Sequence, residues 1–192
     1  MPRDDLPVLE FGSQADWAAW LQEQHAQSPG AWVKIAKKGS PAQTVSYAQA
    51  LDAAICFGWI DGQKARLDEV CWLQRFTPRK PGSKWSKINT DKATELIKAG
   101  QMRPAGQREV DLAQADGRWE AAYEGQRAST VPEDLERALA GNDAAREFFA
   151  TLSGVNRYAI LYRIGSVKRP ETRARKIAQY VAMLAEHQTI HP

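Results

Sequence analysis

The chain has 192 residues, 26 Lys and Arg against 23 Asp and Glu, 43% hydrophobic residues, seven tryptophans, two cysteines and three histidines. That length suits one domain or two small ones, and the apolar content is enough for a packed core, which excludes wholesale disorder. No apolar run approaches the roughly 18 residues of a membrane span, Asp4 and Asp5 sit where a signal peptide needs a basic end, and Cys56 and Cys71 lack a CxxC spacing, so a cytoplasmic protein with no disulfide and no zinc site is expected.

Taken in chain order, Ser13 opens a helical pattern with Trp17, Trp20 and Leu21 on one face, ending near Ser28-Pro29-Gly30. The stretch AWVKIAK, residues 31–37, alternates as a strand does, and Gly39-Ser40-Pro41 is a loop. Ser46 with Gln49 three residues on is a capping box, after which Ala48, Leu51, Ile55 and Trp59 form an apolar helical stripe that gives out between Gly58 and Gly62. Residues 63–67 and 70–76 are expected to pair as an antiparallel hairpin around Asp68-Glu69, followed by a basic loop over residues 77–86. Helices are predicted over 90–100, 104–117, 132–140 and 143–152, stopped by Gly100, Gly117 and Gly141, with Pro104 and Pro132 in first turns. Two last helices, 156–164 and 170–186, form an αα-hairpin in which Ile177, Tyr180, Val181 and Leu184 are buried. The fold class is therefore α+β: a small antiparallel sheet with helices in residues 1–90, and an all-helical part in residues 91–192 packed on the first.

Charge alternates along the chain: −1 over residues 1–66, +3 over 67–102, −4 over 103–147 and +5 over 148–192. The basic stretches either face the acidic segment of their own chain at close range or bind an outside polyanion. Two constellations follow. In the first, FGWIDG (57–62) and RFTPRKPGSKWSKIN (75–89) are expected to lie beside one another on the same sheet, with Trp59, Asp61, Arg75, Arg79, Lys80 and Trp85 as candidate ligand-binding residues. Basic residues interleaved with Phe76 and Trp85 suit a single-stranded nucleic-acid groove, and suit equally a loop held down by its tryptophan. Asp61 either orients an arginine, acts as a base if buried beside Arg75, or simply marks a turn with Gly62. In the second, KRPETRARK sets Lys168, Arg169, Arg173 and Lys176 at the positive end of a helix, where their mutual repulsion calls for an anionic ligand or an internal carboxylate.

Catalytic patterns are poor. His25, His187 and His191 are scattered, glycine-rich phosphate loops and GxSxG are absent, and the two cysteines sit among apolar residues. These features favour a non-catalytic protein that needs no cofactor and no metal. Its expected ligand is an anion or a peptide; nucleic acid held by segments 75–87 and 168–176, or a small-molecule enzyme with Asp61 as base, are the alternatives.

The spans VSYAQALDAAICFGWIDG, LQRFTPRKPGSKWSKIN and KRPETRARKIAQYVAMLAE resemble the bacterial bacteriocin-protection family, also called YdeI/OmpD-associated, over nearly the whole chain. The RPETRARKI element is the part the family is named for, and the tryptophan-rich front half is its usual companion. The resemblance implies a small protein of cytoplasmic character with a role in protection against bacteriocins or cationic peptides. It brings no catalytic residue to any position.

Overall fold

The computed structural model describes residues 6–125 and 129–192, so Asp4 and Asp5 of the expected leaderless start lie outside the described residues. The chain forms two compact units, residues 1–122 and 123–192. All seven tryptophans belong to the first.

The first unit carries a four-stranded sheet in the order β1-β2-β4-β3, made of β1 (Val8–Leu9), β2 (Ala31–Ala36), β3 (Trp59–Arg66) and β4 (Cys71–Pro78). Both pairings of β4, with β2 and with β3, are antiparallel. The two-residue β1 runs parallel to β2, so the sheet is mixed rather than antiparallel throughout. Its four helices are α1 (Gln14–Gln24), α2 (Tyr47–Cys56), α3 (Lys87–Lys98) and α4 (Pro104–Ala115). Ser13, Ser46 and Ser86 cap α1, α2 and α3 through their hydroxyls, and at Ser46 the capping box with Gln49 is complete in both directions. The Ser86 cap starts α3 three residues before the position that the apolar spacing predicts.

Three expectations around α2 and β3 need correction. Trp59 does not continue the stripe of α2. Gly58 takes φ +75°, which ends the helix, and Trp59 is the first residue of β3. Asp61 and Gly62 consequently lie within a strand and not at a turn. The register between β3 and β4 pairs Asp61 with Phe76 and Lys64 with Gln74, so Gly62 and Gln63 together face Arg75, two residues against one, which is a β-bulge. Ala48, placed on the buried stripe from its spacing, is exposed, whereas Leu51 and Ile55 are buried.

A cluster of aromatic rings joins the aliphatic side chains in the core of this unit. Trp17 stacks on Trp20 with ring centroids 5.2 Å apart, both meet Trp59 edge-on at 6.1 and 5.8 Å, and Phe76 lies 5.7 Å from Trp17. The buried indole of Trp17 donates to the Ala50 carbonyl at 3.0 Å, tying α1 to α2. Helices α3 and α4 both pack on α2. On α4, Gly106 lies so close to the end of α2 that a Cβ there would stand 2.3 Å from the Cys56 carbonyl oxygen.

The second unit is helical, with α5 (Glu133–Ala140), α6 (Asp143–Thr151), α7 (Gly154–Gly165) and α8 (Pro170–Ala185). Helices α5, α6 and α7 all contact α8. Leu135, Leu139, Phe149, Ile160, Ile164, Ile177, Tyr180 and Leu184 close its separate apolar core. Pro132 is the N-cap residue of α5, one position before the first turn.

Candidate functional site

The register of β3 against β4 brings FGWIDG and RFTPRKP side by side, as Trp59 pairs with Pro78, Ile60 with Thr77 and Asp61 with Phe76. Cross-strand partners share a face and neighbours along a strand alternate, so Asp61 lies on the face of Phe76 and Arg75 on the opposite one. Arg75 instead pairs with Trp32 on β2 and runs past Gly62, where a Cβ would stand 3.7 Å from its own Cβ. The juxtaposition of a buried Asp61 with Arg75 is therefore not formed. Asp61 is half-buried, and its Oδ2 accepts a 2.7 Å hydrogen bond from the hydroxyl of Tyr47. Trp59 is 1% exposed and donates its indole N–H to the His25 carbonyl at 3.2 Å; it is a core residue.

Arg79 and Trp85 do come together. The Arg79 guanidinium lies 3.4 Å from the centroid of the Trp85 ring, and both residues are buried. Its backbone N–H donates to Gly58 O at 3.0 Å, and one terminal nitrogen donates to Lys84 O at 3.2 Å. Between these anchors the chain turns through Gly82 at φ +82°, with Lys80 N–H donating to Ser83 Oγ at 2.9 Å and Ser83 N–H donating to Lys80 O at 2.9 Å. Arg118, itself paired with Asp116, donates to Ser83 O at 2.9 Å, and Trp119 meets Trp85 with centroids 5.0 Å apart. Residues 79–86 are thus fixed from beneath by an arginine stacked on a tryptophan, while Lys80, Lys84 and Lys87 are exposed. The aromatics interleaved with these bases, Phe76 and Trp85, are 0% and 1% exposed, so neither offers a ring to a nucleobase.

At the start of α8, Lys168 and Arg169 are exposed and Lys176 is half-exposed. Arg173 is engaged internally: Nε and one terminal nitrogen donate to the two oxygens of Asp134 at 2.6 and 2.9 Å, and the other donates to Ile164 O at 2.9 Å. The acidic partner predicted from the charge alternation is thus Asp134, near the N-terminus of α5, where a carboxylate also suits the helix dipole. The guanidinium hydrogen bonds hold the Asp134 carboxyl below its usual pKa and raise that of Arg173.

Both thiols are free and buried; burial, with Asp52 nearby, pushes Cys56 up to about 11, far from a nucleophile's range. Among the described residues no group of three His, Cys, Asp or Glu is placed to hold a metal, and no helix is long and apolar enough to cross a membrane. Sequence reasoning missed Tyr47, Lys64, Trp72, Arg118 and Trp119. The capping box one residue before Tyr47 marks its place at a helix start; nothing local marks the others.

Comparison with known families matches residues 9–109 to a domain of unknown function (DUF8412), and residues 128–187 to the family described as Bacteriocin-protection, YdeI or OmpD-Associated. No curated protein and no solved structure matches the chain. The second match covers α5 to α8 and includes Asp134 and Arg173, supporting over that span the resemblance drawn from RPETRARKI. The first takes in the whole sheet apart from Val8, together with the basic loop and more than half of the chain, which therefore belongs to the DUF8412 family and carries a bacteriocin-protection-like helical unit after it.

Proposed function

We propose that the protein is a non-catalytic binding protein that takes a polyanionic ligand on the lysines of its 79–87 loop. The observation that carries this reading is the pinning of that loop by the Arg79–Trp85 pair beneath exposed Lys80, Lys84 and Lys87. A backbone already ordered loses little conformational entropy on binding, and lysines held on it gain by releasing counterions from the ligand. Burial of Phe76 and Trp85 removes the stacking platforms that a single-stranded nucleic-acid groove requires, which favours charge recognition over base recognition. The match of residues 128–187 to the family described as bacteriocin-protection supports a protective role.

Titration with inorganic polyphosphate across a salt series tests this reading. The wild type is expected to lose affinity linearly in log–log form as salt rises. Replacing Lys80, Lys84 and Lys87 together by Ala should weaken binding at least about tenfold and shrink the salt slope by about 2–3. Unchanged affinity in the triple variant rejects the assignment.

A further inference from the structure

Away from the basic loop, two half-buried rings face one cation. Tyr47, the first residue of α2, and Trp72 on β4 have centroids 6.0 Å apart at 45°, and the Lys64 ammonium lies 5.3 Å from the first and 4.8 Å from the second. Asp61 accepts the Tyr47 hydroxyl, which fixes that ring and adds a negative charge to the patch.

The bulge creates this arrangement. In a regular strand, residues three apart point to opposite faces. The extra residue between Asp61 and Lys64 puts both on the face that also carries Phe76, Gln74 and Trp72. Strand β3 is at the edge of the sheet, so the cluster opens to solvent and Lys64 is exposed. Nearby, Arg66 pairs across the ladder with Trp72 but is held by Glu69.

We propose that Tyr47, Trp72 and Asp61 form a cage for a small cation of the trimethylammonium class, and that Lys64 fills it as a built-in competitor. Two aromatic faces with a carboxylate beside them are the donor set that recognises quaternary ammonium groups. The present occupant fits that cage poorly. Its exposed ammonium faces two rings, which do not accept its three N–H donors as an oxygen would, so those donors are left to solvent. A methylated cation has no such donors to satisfy and covers both rings with its methyl groups.

The test is a titration of the full chain with choline, followed at the indole N–H resonance of Trp72, which the Trp72→Phe variant assigns. Removing a competitor raises apparent affinity by the reciprocal of the fraction of time the site is free. Lys64→Ala is therefore expected to bind choline at least about twofold more tightly than the wild type, the gain for a cage self-occupied about half of the time. The neutral isostere 3,3-dimethyl-1-butanol should leave the resonance unmoved in both. Lys64 is exposed, so its replacement leaves the fold intact and the comparison valid. Equal choline affinity in the two proteins, an undetectable response in Lys64→Ala, or an equal response to the neutral isostere overturns the proposal. The polyphosphate titration does not depend on this result.

Discussion

Arg173 stands in the first turn of α8, where the positive end of its own helix repels it. Asp134 at the start of α5 and the Ile164 carbonyl near the end of α7 reverse that cost, so one guanidinium joins three helices. The pair is only partly buried, with side-chain exposures of 24% and 37%, so its worth falls between that of a surface pair and that of a buried one. Arg173→Ala is expected to destabilise the protein by about 1–3 kcal/mol, and Arg173→Lys by about half of that because a lysine cannot make the fork. Urea midpoints measured beside wild type check both. The same pair sets an acid limit. The folded pKa of Asp134 is lowered, so its contribution is fully present above the ordinary carboxylate pKa near 3.8 and is lost as pH falls through the folded value. The stability gap between wild type and Asp134→Asn should therefore be wide at neutral pH and close in the acid range. Cys56 gives a second check at this scale. With its pKa near 11 and its side chain buried, it should react with a thiol reagent at neutral pH only as fast as the protein opens, whereas in denaturant both cysteines should label at once. What the sequence reveals of these residues depends on distance along the chain. Trp59 and Trp85 are recognisable as buried anchors from composition and local pattern. Tyr47 is fourteen positions from Asp61, in a different element, and only the folded sheet makes them partners.

Among the elements, those with local signals were legible and those defined by partners were not. Ser13 and Ser46 mark helix starts, and Gly100, Gly117 and Gly141 follow helix ends, because caps and stops act within one turn. Two residues of β1 have no periodicity to detect; their strand exists because β2 offers a free edge. The length of β3 was hidden by helical spacing that runs from Ala48 through Ile55 to Trp59, and only the left-handed conformation of Gly58 separates the two elements. Contact between helices offers a sharper test. Ala at Gly106 would bring its Cβ to 2.3 Å from Cys56 O and 2.6 Å from Ile55 O, both backbone atoms that cannot turn aside. Gly106→Ala is expected to cost about 1–3 kcal/mol as α4 is pushed off α2. Gly165→Ala, where nothing lies within 4 Å, should be neutral or stabilising by up to about 1 kcal/mol. Thermal melts of the two variants together separate helix propensity from close approach.

Over the whole molecule, the formal charge of +3 is the small remainder of 26 basic and 23 acidic side chains. Replacing Lys80, Lys84 and Lys87 by Ala takes that charge to zero and touches only exposed side chains, so the melting temperature is expected to stay within a few degrees of wild type. Earlier elution from a cation-exchange column at the same pH is the companion measurement. A larger loss of stability would mean that these lysines hold the loop and are not merely displayed by it. The confinement of every tryptophan to residues 1–122 carries a spectroscopic consequence. Selectively excited tryptophan emission arises from the sheet-bearing unit alone, whereas far-ultraviolet circular dichroism, governed by helix, registers both units. A denaturation curve followed by emission thus never sees the loss of α5 to α8 directly. Any gap between the two curves in one sample reads out the helical unit with no label attached.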